Sequence, residues 1–198
     1  MQFSFAYKKA IQSLNYFARQ EGGEINKMKA LKLIYFADRY HLRKYGRPIT
    51  NDTYFALPYG PVASACLNLL NAGEFQTVES NYRDAFLEKL SQYQYSSTTD
   101  VALEHFSESD QEALNYSWET YHMLDQFQLA EKTHEFPEWK KHQAALDSKL
   151  VGRRRMPYSD FLENPEFGVE LLEPLTPEDQ EDLKEEIAEL HAIESVWT

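Results

Sequence analysis

The chain has 198 residues, 42% hydrophobic and 14% aromatic, which is ample material for a buried core and excludes disorder along most of its length. No apolar run approaches the ~20 residues needed to span a bilayer, and the start of the chain, through Lys8 and Lys9, lacks the ~7–15-residue apolar stretch of a signal peptide. The net charge of −12 is lopsided: residues 1–159 carry nineteen bases and nineteen acids, whereas residues 160–198 carry thirteen acids and a single base, Lys184.

In chain order, Tyr7, Ile11, Leu14 and Ala18 fall on one face of a first helix that Gly22-Gly23 ends. A second helix is predicted from about Asn26 to Tyr45, stopped by Gly46 with Pro48 beyond it. Met28, Leu31, Ile34, Tyr35, Leu42 and Tyr45 form its apolar stripe. Beside that stripe Lys29, Lys32, Phe36, Arg39 and Arg43 share a narrow arc, part of a segment, Asn26–Arg47, with seven bases and one acid. Thr53–Leu57 is β-prone, and Pro58-Tyr59-Gly60-Pro61 is a rigid turn, because proline fixes φ and glycine tolerates φ > 0. Val62–Asn71 reads as a short helix with Pro61 near its first position. The lone cysteine, Cys66, lies in that helix among Ala63, Ala65, Leu67 and Leu70. It reads as a core thiol in a reducing, cytoplasmic setting.

Further on, Asn81–Gln92 reads as helix. Tyr93–Tyr95 and Val101–Leu103 flank a Ser/Thr/Asp turn, a small hairpin near 93–103. Ser107 or Ser109 caps a helix running to about Leu124, and a shorter helix near Phe127–Thr133 leads into His134–Trp139. Arg153–Arg155 is a basic cluster in a loop, with the acidic tail as a nearby counter-charge. In the last helix Thr176 is the N-cap, Pro177 sits in the first turn and Glu178-Asp179 meet the positive helix end. Leu183, Ile187, Leu190 and Trp197 recur on one face of it, opposite an acidic face. The sum is a mainly α single domain of about six to eight helices with a few short strands, divided as 1–165 and an acidic helical segment, 166–198, packed on the same domain.

Two blocks carry a family likeness. The first is Lys32–Leu42, then Gly46–Ile49, then Tyr54–Val62, a helix with a Tyr-x-Ala-Asp core followed by a Pro-Tyr-Gly-Pro-Val turn. The second is Phe106–Asp110 opening a helix, then Thr133–Trp139. Together they resemble the SocA-like Panacea antitoxins over roughly residues 5–165. The resemblance implies a mainly helical domain, no catalytic residue, and direct neutralisation of a cognate protein toxin encoded by the adjacent gene, often in a prophage. Some members act instead as adaptors that hand a toxin to a protease. The segment after about Glu170 lies outside the likeness.

No enzyme motif stands beside that reading. His134-Glu135 begins like a zincin helix, but Glu138 stands where the second histidine belongs and Pro137 breaks the helix. The remaining histidines show no metal spacing, no phosphate-binding glycine loop or nucleophile elbow is present, and no cofactor is implied. Asp38 falls within the apolar stripe, where a carboxylate needs partners. It is expected to accept hydrogen bonds from the Tyr59-Gly60 turn or from a buried Tyr or Arg, a structural role shared with Gly60 and compatible with orienting a partner-facing loop. The arc Lys32, Phe36, Arg39 and Arg43 is either a solvated face or a partner contact. Tyr59, Pro61, His134 and Trp139 are either core closures or partner contacts. Acidic overall charge and the absence of a helix-turn-helix argue against nucleic acid.

Overall fold

The computed structural model describes residues 4–71, 77–149 and 151–197, with the side chains of 191 and 193–197 left aside. The architecture is mainly helical, with two small antiparallel sheets. Helix α1 (Tyr7–Gln20) is followed by strand β1 (Glu24–Asn26) and the central helix α2 (Lys27–Tyr45). Strands β2 (Tyr54–Leu57) and β3 (Gly60–Ala63) form a hairpin that leads into α3 (Ser64–Leu70). Helix α4 (Thr77–Phe86) runs into β4 (Leu87–Lys89), which turns back as β5 (Gln94–Ser97). Then come α5 (Glu108–Tyr121), α6 (Gln126–Thr133), α7 (Pro137–Lys140), α8 (Gln143–Asp147), β6 (Arg154–Met156) and α9 (Pro177–Trp197). One sheet has the order β1-β5-β4 and the other β3-β2-β6.

Local chemistry explains the boundaries of α2. The Asn26 side chain accepts from the Met28 and Lys29 amides at its start, and Gly46 takes a left-handed φ of +69° at its end. Around this helix the core assembles. The Phe36 ring stacks on Tyr121 of α5 at 3.8 Å between centroids, and Tyr40 stacks on Tyr116 at 4.2 Å. With α1, α5, α6 and the β3-β2-β6 sheet all against it, α2 is buried without interruption from Lys29 to Arg43.

Several sequence expectations need correction. Pro61 does not start a helix; it lies in β3, paired with Ala56, and α3 begins at Ser64. Because β3 is an edge strand, a residue without an N–H is tolerated there. The helix expected to run to Gln92 stops at Phe86, and the hairpin is β4–β5, not 93–103, since Leu87–Lys89 pairs with Tyr95–Ser97. Residues 103–105 form a single 3-10 turn. Arg154 and Arg155 are not loop residues but strand β6, paired to β2.

Helix α9 carries side chains that meet the rest of the chain. Ile187 is buried and Leu183 half-buried, and Glu186 lies so close to Gly46 that a Cβ there would collide with its carboxylate. Leu190 helps close a cleft with Lys9, Arg47 and Ile49. The Trp197 side chain lies outside the described ones. No helix among the described residues is long and apolar enough to cross a membrane.

Candidate functional site

The basic arc of α2 is not a surface. Lys32, Phe36, Arg39 and Arg43 are all buried, Lys32 to 1% and Arg39 to 2% exposure, so neither the solvated face nor an open basic contact expected from the sequence exists in this fold. Unpaired, such charges would cost several kcal/mol each to bury. They are tolerated because distant segments bring compensating groups to them.

Arg39 Nε donates to Glu138 Oε1 at 2.7 Å, and its Nη1 is ion-paired with Glu170. Its guanidinium also lies over the Phe136 ring at 4.5 Å. Tyr35 donates its hydroxyl to the same Glu138 oxygen at 2.6 Å. Arg43 Nη1 donates to the carbonyls of Phe161, Leu162 and Glu163 at 3.0–3.2 Å, and Nη2 to Asn164 Oδ1 at 2.8 Å. Glu170 stands 3.5 Å from Arg43 Nη2. Two guanidiniums thus face two carboxylates, and the group is neutral as a whole. Burial, followed by the neighbouring Arg39 charge, still brings the Arg43 pKa down to about 10.

About two turns from Arg39 toward the N-terminus of α2, Lys32 reaches the β2–β3 hairpin. Its Nζ donates to the Pro61 carbonyl at 2.8 Å. Burial lowers its pKa to about 7. A Cβ at Gly60 would stand 2.2 Å from Thr133 Oγ1 and 2.6 Å from Lys32 Nζ, and Gly60 has φ +91°, so both space and conformation demand glycine there. From the other side Trp139 Nε1 donates to the Leu57 carbonyl at 2.9 Å, with His134 stacked on the Trp139 ring at 3.6 Å. Burial and the Lys32 charge lower the His134 pKa.

Asp38 is buried and fully engaged, but its partners are not the Tyr59-Gly60 turn. Its carboxylate accepts from the Ile49 and Thr50 amides at 2.8 and 3.0 Å, from the Thr50 hydroxyl, and from the Tyr54 hydroxyl at 2.8 Å. Burial raises its pKa to about 6, and the Thr50 and Tyr54 bonds hold it from rising further. Asp38 therefore fastens the segment after α2 and the root of β2. Asp52 continues the same logic, accepting from the Ala65 and Cys66 amides at 2.7 Å and so capping α3.

The result is a brace. Lys32, Asp38 and Trp139 hold the β2–β3 hairpin at its tip, root and flank, and the Arg39–Glu138–Glu170 group ties α2 to α7 and to the segment before α9. Among the named candidates this brace gathers Lys32, Phe36, Asp38, Arg39, Arg43, Gly60, Pro61, His134 and Trp139. Tyr59 stands apart: at the hairpin tip it is 67% exposed. Phe55, Leu57 and Val62 form a half-buried outer face on the same sheet. Arg153 lies over the Phe55 ring at 4.6 Å, and Arg154 and Arg155 are exposed beside it. Among the described residues Arg153–Arg155 have no ion pair, so the counter-charge expected from the acidic tail is not found there.

Sequence reasoning missed the partners: Tyr35, Glu138, Thr133, Tyr54 and Glu170. For Glu138 a signal existed, an acid wedged between Pro137 and Trp139. For Glu170, in a run of acids, none did. Among the described residues there is no group of three or more His, Cys, Asp or Glu side chains arranged to hold a metal ion.

Residues 31–140 match the family model for the antitoxin SocA-like, Panacea domain. No curated protein and no solved structure matches the chain.

Proposed function

Because the chain belongs to the SocA-like antitoxin family that carries the Panacea domain, we propose that it neutralises a cognate protein toxin by direct binding. The observation that carries this reading is the place of the match. It covers more than half of the chain, from Leu31 to Lys140, and that stretch holds α2, the hairpin and α7. Within the matched range of this chain lies nearly the entire brace, beneath the exposed tip of the hairpin. A loop held by buried ionic and hydrogen-bonded supports loses little entropy on binding, so it suits a protein whose task is to grip another.

In this reading the contact surface is the outer face of the β3-β2-β6 sheet, with Tyr59 as its aromatic anchor. Pro61, His134 and Trp139 act from beneath, and the α2 side chains Lys32, Phe36, Arg39 and Arg43 support rather than touch the partner. Tyrosine supplies a large contact area with few rotatable bonds, a common composition at the centre of interfaces.

Co-expression with the protein encoded by the adjacent gene tests the proposal, with growth and co-purification as readouts. Neutralisation by binding requires growth arrest by the neighbour alone, rescue by this chain, and an isolable complex. Rescue accompanied by loss of the neighbour would instead identify an adaptor that delivers it to a protease. No arrest and no complex would reject the antitoxin reading for this pair.

A further inference from the structure

We propose that the free edge of β6 accepts an extended acidic segment of the partner as a fourth strand of the β3-β2-β6 sheet. The inference rests on the antitoxin reading only for the identity of the protein that carries the segment.

In the order β3-β2-β6 the two outer strands are edges, and they differ. At β3, Pro61 has no N–H, and its carbonyl already accepts from Lys32. Gly60 of the same strand is pressed against Thr133 of α6. Among the described residues nothing is hydrogen-bonded to the outer edge of β6. Arg154 and Arg155 are exposed, and among the described residues the only backbone pairing of Arg154–Met156 is the ladder to β2. In an antiparallel ladder alternate residues turn their N–H and C=O away from the neighbour, so β6 offers backbone groups for a further strand.

Charge selects what can dock. Arg153, Arg154 and Arg155 form a compact cationic run on a chain of net charge −12. Most other bases, among them Lys9, Lys29, Lys44, Arg47, Lys140 and Lys141, are engaged in ion pairs, whereas these three have none among the described residues. Edge arginines are a device against indiscriminate pairing. Two copies of this chain meeting at β6 would bring six arginines together, which disfavours a second copy as the occupant. An acidic strand turns the same repulsion into attraction.

The pleat makes the match more specific. Arg155 pairs with Phe55, whose side chain lies on the outer face, and Arg153 packs on that ring. Met156 pairs with Tyr54 on the buried face. Side chains of a strand alternate between faces. An incoming strand with acids at every second position would set them against Arg153 and Arg155, with its small apolar residues on the other face.

The test uses the full-length protein and a fluorescein-labelled ten-residue peptide alternating glutamate with valine and threonine, read by fluorescence anisotropy. The expected result is saturable binding that weakens with salt, at least a tenfold loss in the double variant R153E/R155E, and no binding of the lysine counterpart. Methylating alternate backbone nitrogens along one edge of the peptide should cost a similar factor, because a strand needs its amides and a mere polyanion does not. No binding of the acidic peptide up to millimolar concentration, or equal binding by R153E/R155E, overturns the proposal. Undiminished binding by both edge-methylated forms overturns it as well. Circular dichroism checks the variant's fold, and R153Q/R155Q replaces it if folding is lost. In the growth assay, R153E/R155E rescuing as well as the wild type would reject the β6 site while leaving the antitoxin reading intact. Failure of the wild type itself to rescue would reject the antitoxin reading without touching the peptide result.

Discussion

Replacing Gly60 with alanine isolates the hairpin brace. The new methyl would stand 2.2 Å from Thr133 Oγ1 and 2.6 Å from Lys32 Nζ, at a residue whose φ is +91°. Neither neighbour is free to retreat: Thr133 donates to the Ala130 carbonyl at 2.6 Å and Lys32 to Pro61 at 2.8 Å, both buried. Backbone strain at such a φ costs of order 1–3 kcal/mol for a non-glycine residue, and forcing a methyl into a packed interior costs about 1–3 more. The expected destabilisation is roughly 2–6 kcal/mol, which for a chain of this size lowers Tm by about 4–24 °C. Urea and thermal unfolding, followed by circular dichroism, measure it. Thr133→Ala separates the two contributions, because it removes the nearest atom and leaves φ untouched. The pair should therefore show a favourable coupling of about 1 kcal/mol or more in a double-mutant cycle. A loss below about 1 kcal/mol for G60A, or strict additivity with T133A, would refute the close packing of Lys32 and Thr133 on the hairpin.

Glu138→Gln should cost about 3 kcal/mol, since it leaves Arg39 with half its counter-charge in a buried site. Urea titration of that variant, compared with the smaller expected loss in R39M/E138L, checks whether the pair acts as a unit. Lys32→Met carries a pH signature. The folded pKa of about 7 lies below the ordinary 10.5, so between these values the unfolded chain holds a proton that the folded chain has released, and stability gains from Lys32 as pH rises. The stability of K32M relative to wild type should therefore be highest near pH 6–7 and fall by on the order of 4 kcal/mol by pH 10; a pH-independent difference would contradict a desolvated amine. Tyr59→Ser should leave Tm within about 1–2 °C of wild type, as expected of an exposed site, yet weaken a toxin complex by tenfold or more in a pull-down titration.

The local signals on α2 were legible. Asn26 and Gly46 mark its ends, and its apolar residues recur at helical spacing. The environment of its charged arc was not legible, because periodicity treats a lysine or arginine as a sign of water. Arg39 finds Glu138 and Glu170 about a hundred residues or more along the chain, and Arg43 finds the carbonyls of Phe161–Glu163. Nothing within a window of one helix can report such partners. Asp38 shows the intermediate case. Its need for partners followed from its place in the stripe, but their identity depended on how Ile49 and Thr50 fold back after Gly46. Strand β4 was hidden for a similar reason: Leu87–Lys89 continues a helical pattern and becomes strand only because β5 lies beside it. The Pro-Tyr-Gly-Pro turn itself was legible, but its sequence did not decide between core and surface: Tyr59 is exposed while Gly60 and Pro61 beside it are buried.

The reach of Glu170 into the centre of the domain separates two boundaries that are easily confused. The family model matches residues 31 to 140, yet a fragment cut at Lys140 would leave Arg39 and Arg43 facing one carboxylate instead of two. The matched stretch is thus shorter than the set of residues that balances its own buried charges. Any segment put in place of this chain's own C-terminal part would have to bring an acid that seats on Arg39, whatever else the new sequence was for.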